Sequence, residues 1–167
     1  MLYIGAENWP FPIPLTSKNG AWYFDAETGT QEILFRRIGE NEEVAIQVCE
    51  EFAITKKDQG AKPASYDPIT QFAQNLASAG LASAGTNDSA PFHGYYFRLV
   101  NSSGSGRDHK KGSVTLVAYP VEYRTSGVKT FVVTGHDNVY EKDLGTDTTT
   151  VAPTIKSRTS GWRAAAE

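Results

Sequence analysis

The chain has 167 residues, 40% of them hydrophobic and 11% aromatic, which fits one domain with enough apolar material to close a core and excludes a disordered chain. A net charge of −3 and a pI of about 5.6, with both signs mixed along the chain, leave no basic footprint for nucleic acid or for an anionic membrane. The single cysteine, Cys49, excludes an internal disulfide and a cysteine-based metal site of the usual spacing, and no run reaches the ~18–20 apolar residues that span a bilayer.

Residues 1–24 read as an opening hairpin or bent strand: Leu2-Tyr3-Ile4, then Trp9 to Leu15, a turn at Ser17-Lys18-Asn19-Gly20, and Ala21-Trp22-Tyr23-Phe24. Pro10, Pro12 and Pro14 remove alternate backbone donors, so this stretch is expected to be extended at an edge or against a packed surface. Trp9-Pro10-Phe11-Pro12 reads as a rigid arm pinned by its own aromatics, with a polyproline-like ligand for another domain as the alternative. The arm concentrates more large apolar groups than a segment of its length leaves to solvent, so some of them are expected to be covered.

From Thr28 the period changes. Leu34, Ile38, Ala45, Val48, Cys49 and Phe52 trace one stripe of an amphipathic helix, with a kink expected at Gly39, a fresh N-cap at Asn41 and Lys56-Lys57 in the last turn. Asp67-Pro68 starts a second helix, with Asp67 as N-cap and Pro68 at its first position, running to Gly80 with Ile69, Phe72, Ala73 and Leu76 on one side. Residues 80–92 and Asn101 to Gly112 read as loops.

Four runs rich in β-branched and aromatic residues follow: Tyr95 to Val100, Val114 to Tyr119, Thr130 to Thr134, and Val139-Tyr140. Short connections predict an antiparallel meander. Alternation puts Tyr95, Phe97, Leu99, Val114, Leu116, Ala118, Phe131 and Val133 on the face the helices cover, packed on Leu34, Ala45, Val48, Cys49 and Phe52. Tyr96, Arg98, Thr115 and Thr130 point the other way. Thr148-Thr149-Thr150 with Val151 are expected to add an edge strand.

The fold class is therefore α+β: a long N-terminal helix and a shorter one packed on a four- to five-stranded antiparallel meander. The chain is read as one domain, with an arm at 1–24, a helical layer at 28–80, the sheet at 93–145 and a tail at 146–167.

No set of residues converges on a chemistry. His93, His109 and His136 are scattered among turns without the helical spacing that joins two imidazoles on a metal, and His136-Asp137-Asn138 with Glu141 and Asp143 lacks the spacing of a calcium loop. Serines occur without a nucleophile elbow, Cys49 sits on a helix stripe, and Glu42-Glu43 and Glu50-Glu51 diverge around their helix. The expectation is no catalytic residue, no metal and no cofactor. A hydrolase-like enzyme using His93, His136 and nearby carboxylates stands as the alternative. What remains is aromatic surface: Trp9 and Phe11 in the arm, and Tyr96, Tyr119, Tyr123 and Tyr140 with Arg98 on the sheet face away from the helix, residue types that binding patches favour. Ordinary cross-strand pairing on a solvated face is the other reading of the sheet tyrosines.

Six blocks carry a resemblance: Gly5 to Pro14, Arg36 to Glu42, Ala45 to Cys49, His93 to Arg98, Val117 to Tyr123 and Val139 to Gly145. In this order they resemble the bacterial domain-of-unknown-function family numbered 2950. The resemblance implies an exported protein of the periplasm or cell surface, whose relatives usually carry a signal peptide and an N-terminal helical half upstream, so the chain is expected to be an excised or truncated form. It carries no activity and no site residue. Here the segment before His93 is shorter and richer in Ala and Ser than the family pattern, and Arg107 to Gly112 is more basic. A second likeness, of architecture, is to the globular head of type IV pilins. If the missing helical half covers the arm in full-length relatives, as the resemblance implies, this chain is expected to cover it by self-association, as a dimer or filament whose contact includes Trp9 and Phe11. The function expected is an exported, non-catalytic module that binds another envelope protein or assembles with itself.

Overall fold

The computed structural model describes residues 2–6, 8–57, 67–82, 90–101, 114–135 and 138–165. Two compact units divide the chain, Met1–Glu40 and Asn41–Glu167. Helix α1 (Ala26–Lys57) runs through the division without a break.

In the first unit β1 (Tyr3–Ile4) pairs antiparallel with β2 (Trp9–Pro10), and the Phe11 N–H extends the ribbon by donating to Leu2 O at 2.7 Å. A second ribbon joins β3 (Leu15–Lys18) to β4 (Ala21–Phe24). Its loop is Asn19-Gly20, both left-handed at φ 55° and 80°, the tight hairpin turn whose twist matches the strands. Asp25 then caps α1, accepting from Thr28 N at 3.1 Å and Thr28 Oγ1 at 3.0 Å, so the helix starts ahead of Thr28, where the apolar period begins. A Cβ on Gly29 would lie 2.8 Å from Ile13, so the Pro12-Ile13-Pro14 stretch rests on the first turn of α1.

Helix α1 continues past Gly39 into the second unit, and the fresh N-cap expected at Asn41 does not occur, because that residue lies inside the helix. Gly39 faces open space and costs only about 1 kcal/mol of propensity, which the unbroken hydrogen-bond ladder of a 32-residue helix absorbs. The Asn41 side-chain amide donates instead to Ser126 O at 2.9 Å. The Lys56 and Lys57 side chains lie outside the described residues. Helix α2 (Pro68–Ala82) starts where Asp67 accepts from Thr70 N at 2.9 Å, a bond that holds the Asp67 carboxyl below the usual carboxylate range, and runs beyond Gly80.

The sheet has five antiparallel strands in chain order: β5 (Tyr95–Asn101), β6 (Val114–Pro120), β7 (Lys129–Thr134), β8 (Tyr140–Asp143) and β9 (Arg163–Ala164). The expected α+β class with an antiparallel meander holds. Phe97 faces Ala118 and Ala118 faces Phe131, which aligns the apolar parity of three strands. That face packs with Ala45, Val48, Cys49 and Phe52 of α1 and Ala73, Leu76 and Ala77 of α2. Phe72 anchors α2, stacked on Phe92 at 4.3 Å and edge-on to Phe97 at 5.2 Å. Leu34 does not join this core: it is half-buried and belongs to the first unit.

The opposite face is also covered. Val117, Tyr119, Val132 and Ala152 form a second buried cluster, flanked by Tyr96, Val100, Leu144, Ile155 and Trp162. The threonine run expected as an edge strand is α3 (Thr148–Val151), between 3-10 turns at Gly145–Asp147 and Ala152–Thr154. Its hydroxyls settle the choice by bonding back along the helical turns, Thr148 Oγ1 to Gly145 O at 2.6 Å and Thr150 Oγ1 to Asp147 O at 2.8 Å. Helical winding also swings Ala152 into the second cluster, where it is fully buried. The edge position passes to Arg163–Ala164.

The loop between β6 and β7 is seated on Tyr95. A Cβ on Gly127 would lie 2.6 Å from Tyr95 Cζ, and Tyr95 is fully buried with its hydroxyl donating to Lys129 O at 2.9 Å. Gly127→Ala is therefore expected to lower stability by about 1–3 kcal/mol through overpacking. The urea midpoint at constant m-value measures it, and a wild-type midpoint would show that the loop lifts off the ring freely.

Candidate functional site

The residues expected to bind fall in both units. Trp9 of β2 is 61% exposed, with the Arg36 guanidinium 5.7 Å from its ring centroid. Arg36 is itself fixed, its Nε donating to Glu32 at 2.8 Å and its Nη1 to Pro10 O at 2.7 Å, so α1 holds the arm where the indole keeps one side open. Phe11 is half-buried, edge-on to Phe24 at 5.6 Å. Trp22 at 69%, Phe35 at 64% and Phe24 at 53% are exposed in the same unit, and every exposed large apolar side chain among the described residues except Ile54 and Val151 lies within residues 2–35.

The sheet-face residues are engaged elsewhere. Tyr119 is only 5% exposed and offers almost no surface to a partner; its ring lies 5.6 Å from that of half-buried Tyr96. Tyr140 is capped by Arg158, 3.6 Å from the ring centroid. Tyr123 donates to Asp143 Oδ2 at 3.4 Å and carries Arg124 over its ring at 5.5 Å. Arg98 is half-buried, and its Nη1 is enclosed without a hydrogen-bond partner among the described residues. The face expected to be solvated is roofed by the segment from Leu144 to Trp162, because Val117, Val132 and Tyr119 present an apolar surface that needs cover as much as the first face does.

His93 is exposed at φ 45°, its ring against Phe92 at 4.6 Å, and with Gly94 at φ 73° it makes the tight entry to β5. His109 and His136 lie outside the described residues. Among the described residues no group of three or more His, Cys, Asp or Glu stands close enough to hold a metal. Burial, with the Glu50 charge added, pushes the Cys49 thiol far up, so it stays protonated and inert.

One constellation was not legible in the sequence, where Glu42 is one of two adjacent acids that diverge around their helix. Its Oε1 accepts from two consecutive amides, Val128 N at 2.8 Å and Lys129 N at 2.9 Å. Asn41 bonds Ser126 beside it, and a Cβ on Gly94 would meet Asn41 Nδ2 at 2.6 Å. Burial, and then the Glu42 charge, push the Tyr95 phenol up, so it remains a donor. The signal that could have found this knot is the pair of blocks Arg36 to Glu42 and His93 to Arg98, both carrying the family resemblance and meeting here in space. Asn41, Glu42 and Tyr95 all bond to backbone groups of residues 126–129, which suits the knot to holding loop, helix and strand together.

A family model described as "Protein of unknown function (DUF2950)" matches residues 1–85 and 81–164. Neither a curated protein nor a solved structure matches the chain.

Proposed function

Since this chain belongs to the DUF2950 family of proteins of unknown function, a membership that brings no activity with it, we propose that it is a non-catalytic module acting by binding or self-assembly through the apolar surface of residues 2–35. The observation that carries this reading is where apolar surface is left open. Trp9, Trp22, Phe24 and Phe35 are each more than half exposed within one short stretch, whereas Tyr119 is buried and Tyr96, Tyr123 and Tyr140 are half-buried. Concentrated exposure of this kind marks an interaction surface. Export to the periplasm or cell surface, implied by the family resemblance, belongs to the same proposal and supplies the partner: another envelope protein or another copy of the chain. So does the pilin-like reading, in which α1 and its sheet serve as the head of an assembling subunit.

Sedimentation at low micromolar concentration tests it. A dimer or larger species is expected, shifting to monomer in Trp22→Ser, a substitution at a side chain exposed enough to spare the fold. A clean monomer with the indoles of Trp9 and Trp22 shielded from quencher would overturn the proposal.

A further inference from the structure

We infer that the partner at this surface is a second copy of the chain, joined by antiparallel pairing of β4 with β4 across a two-fold axis at Tyr23; this rests on the binding role proposed for residues 2–35. The β3–β4 ribbon is a two-stranded sheet, a unit only marginally stable by itself. Its two-residue loop makes Lys18 and Ala21 a hydrogen-bonded pair, and antiparallel alternation makes Thr16 and Tyr23 the next such pair. The Asp25 N–H donating to Pro14 O at 2.9 Å continues that rhythm. Between these positions the N–H and C=O groups of Trp22 and Phe24 point away from β3, to an edge with no strand beside it among the described residues.

Edges are normally guarded by charge or proline. Pro10 lies in β2, Pro14 precedes β3 and Lys18 lies within it, while the two edge strands of the larger sheet carry Arg98 and Arg163. Ala21-Trp22-Tyr23-Phe24 carries neither device. Trp22, Tyr23 and Phe24, at 69%, 47% and 53% exposure, flank that edge, and all ten large exposed apolar side chains of residues 2–35 together set an upper bound of roughly 1,000 Å², above the ~800 Å² per partner of a standard interface.

Two-fold pairing uses one edge for both copies and closes on itself, leaving no edge to propagate through β4. Trp22 then stands opposite Phe24 of the second copy, each exchanging both backbone bonds, and the two ribbons become one four-stranded sheet with Leu15, Trp22 and Phe24 of both copies on one face. Tyr23 faces its own symmetry mate in the close, non-hydrogen-bonded type of pair, with Cα atoms ~4.5 Å apart.

Tyr23→Cys reads this out, because native Cys49 is buried and leaves the new thiol alone to react among the described residues. Under mild oxidation the variant is expected to convert to a covalent dimer within minutes, whereas Thr16→Cys, placed one strand further from the axis, does not. Hydrogen exchange on the unaltered chain gives a second reading. The amides of Trp22 and Phe24 are expected to slow at least tenfold at concentrations where the dimer forms and to recover on dilution. A wild-type dimer whose Trp22 and Phe24 amides do not change with concentration, or whose Tyr23→Cys variant stays uncrosslinked, overturns β4 pairing and leaves the binding surface standing. A wild-type monomer at all concentrations overturns β4 pairing, and overturns the binding surface as well where the indoles of Trp9 and Trp22 are shielded from quencher.

Discussion

Phe131→Ala is expected to lower stability by about 3–5 kcal/mol, the range for deleting a fully enclosed aromatic side chain. Phe131 is fully buried at the middle of β7, its ring 5.9 Å from that of Tyr95. Its cross-strand neighbour on β6 is Ala118, too small to close over the space. Val48, Cys49 and Phe52 on the helix side are equally enclosed, so collapse into the cavity would have to drag α1 toward the sheet. Urea unfolding measures the loss. A cost below about 1 kcal/mol would mean that the strand slips by one residue and trades its faces, since a slip of one moves the whole apolar set to the other side.

Glu42→Ala is expected to cost about 2–4 kcal/mol, for a different reason. No packing of that size is removed; rather, the amides of Val128 and Lys129 lose a charged acceptor that serves both, in a half-buried setting where water replaces it incompletely. Glu42→Gln, which keeps one acceptor oxygen without the charge, should recover about half of the loss. Unfolding midpoints of the two variants give the comparison, and amide resonances of Val128 and Lys129 report it locally. Equal stability of both variants with wild type would show that the amides find solvent and that Asn41 and Tyr95 suffice to hold the loop.

The sheet core was legible because its signal is a backbone property. Side chains alternate along any strand, so the parity of Tyr95, Phe97, Leu116, Phe131 and Val133 assigns a face before any partner is known, and the structure buries that set together. Helix α2 was legible for the same kind of reason: Asp67 and Pro68 act within one turn. In the arm, the density of apolar groups around Trp9 and Phe11 marked a surface in need of cover, although which of them stay open depends on Arg36 and Phe24 closing over part of it.

What the sequence could not decide involved competition between local preferences and distant surfaces. Thr148 to Val151 suits a strand by propensity, and its hydroxyls suit a helical turn equally well; the helical outcome buries Ala152 against Val117 and Val132, an apolar face that exists only once β6 and β7 are paired. That same roof withdraws Tyr119 from any binding role read off its residue type. Glu42 was ambiguous for a related reason. On α1 it is one acid among several, and only the tertiary fold brings it to the amides of Val128 and Lys129, because a carboxylate's partner across a long stretch of chain is chosen by where the sheet places the loop and by nothing in the helix itself.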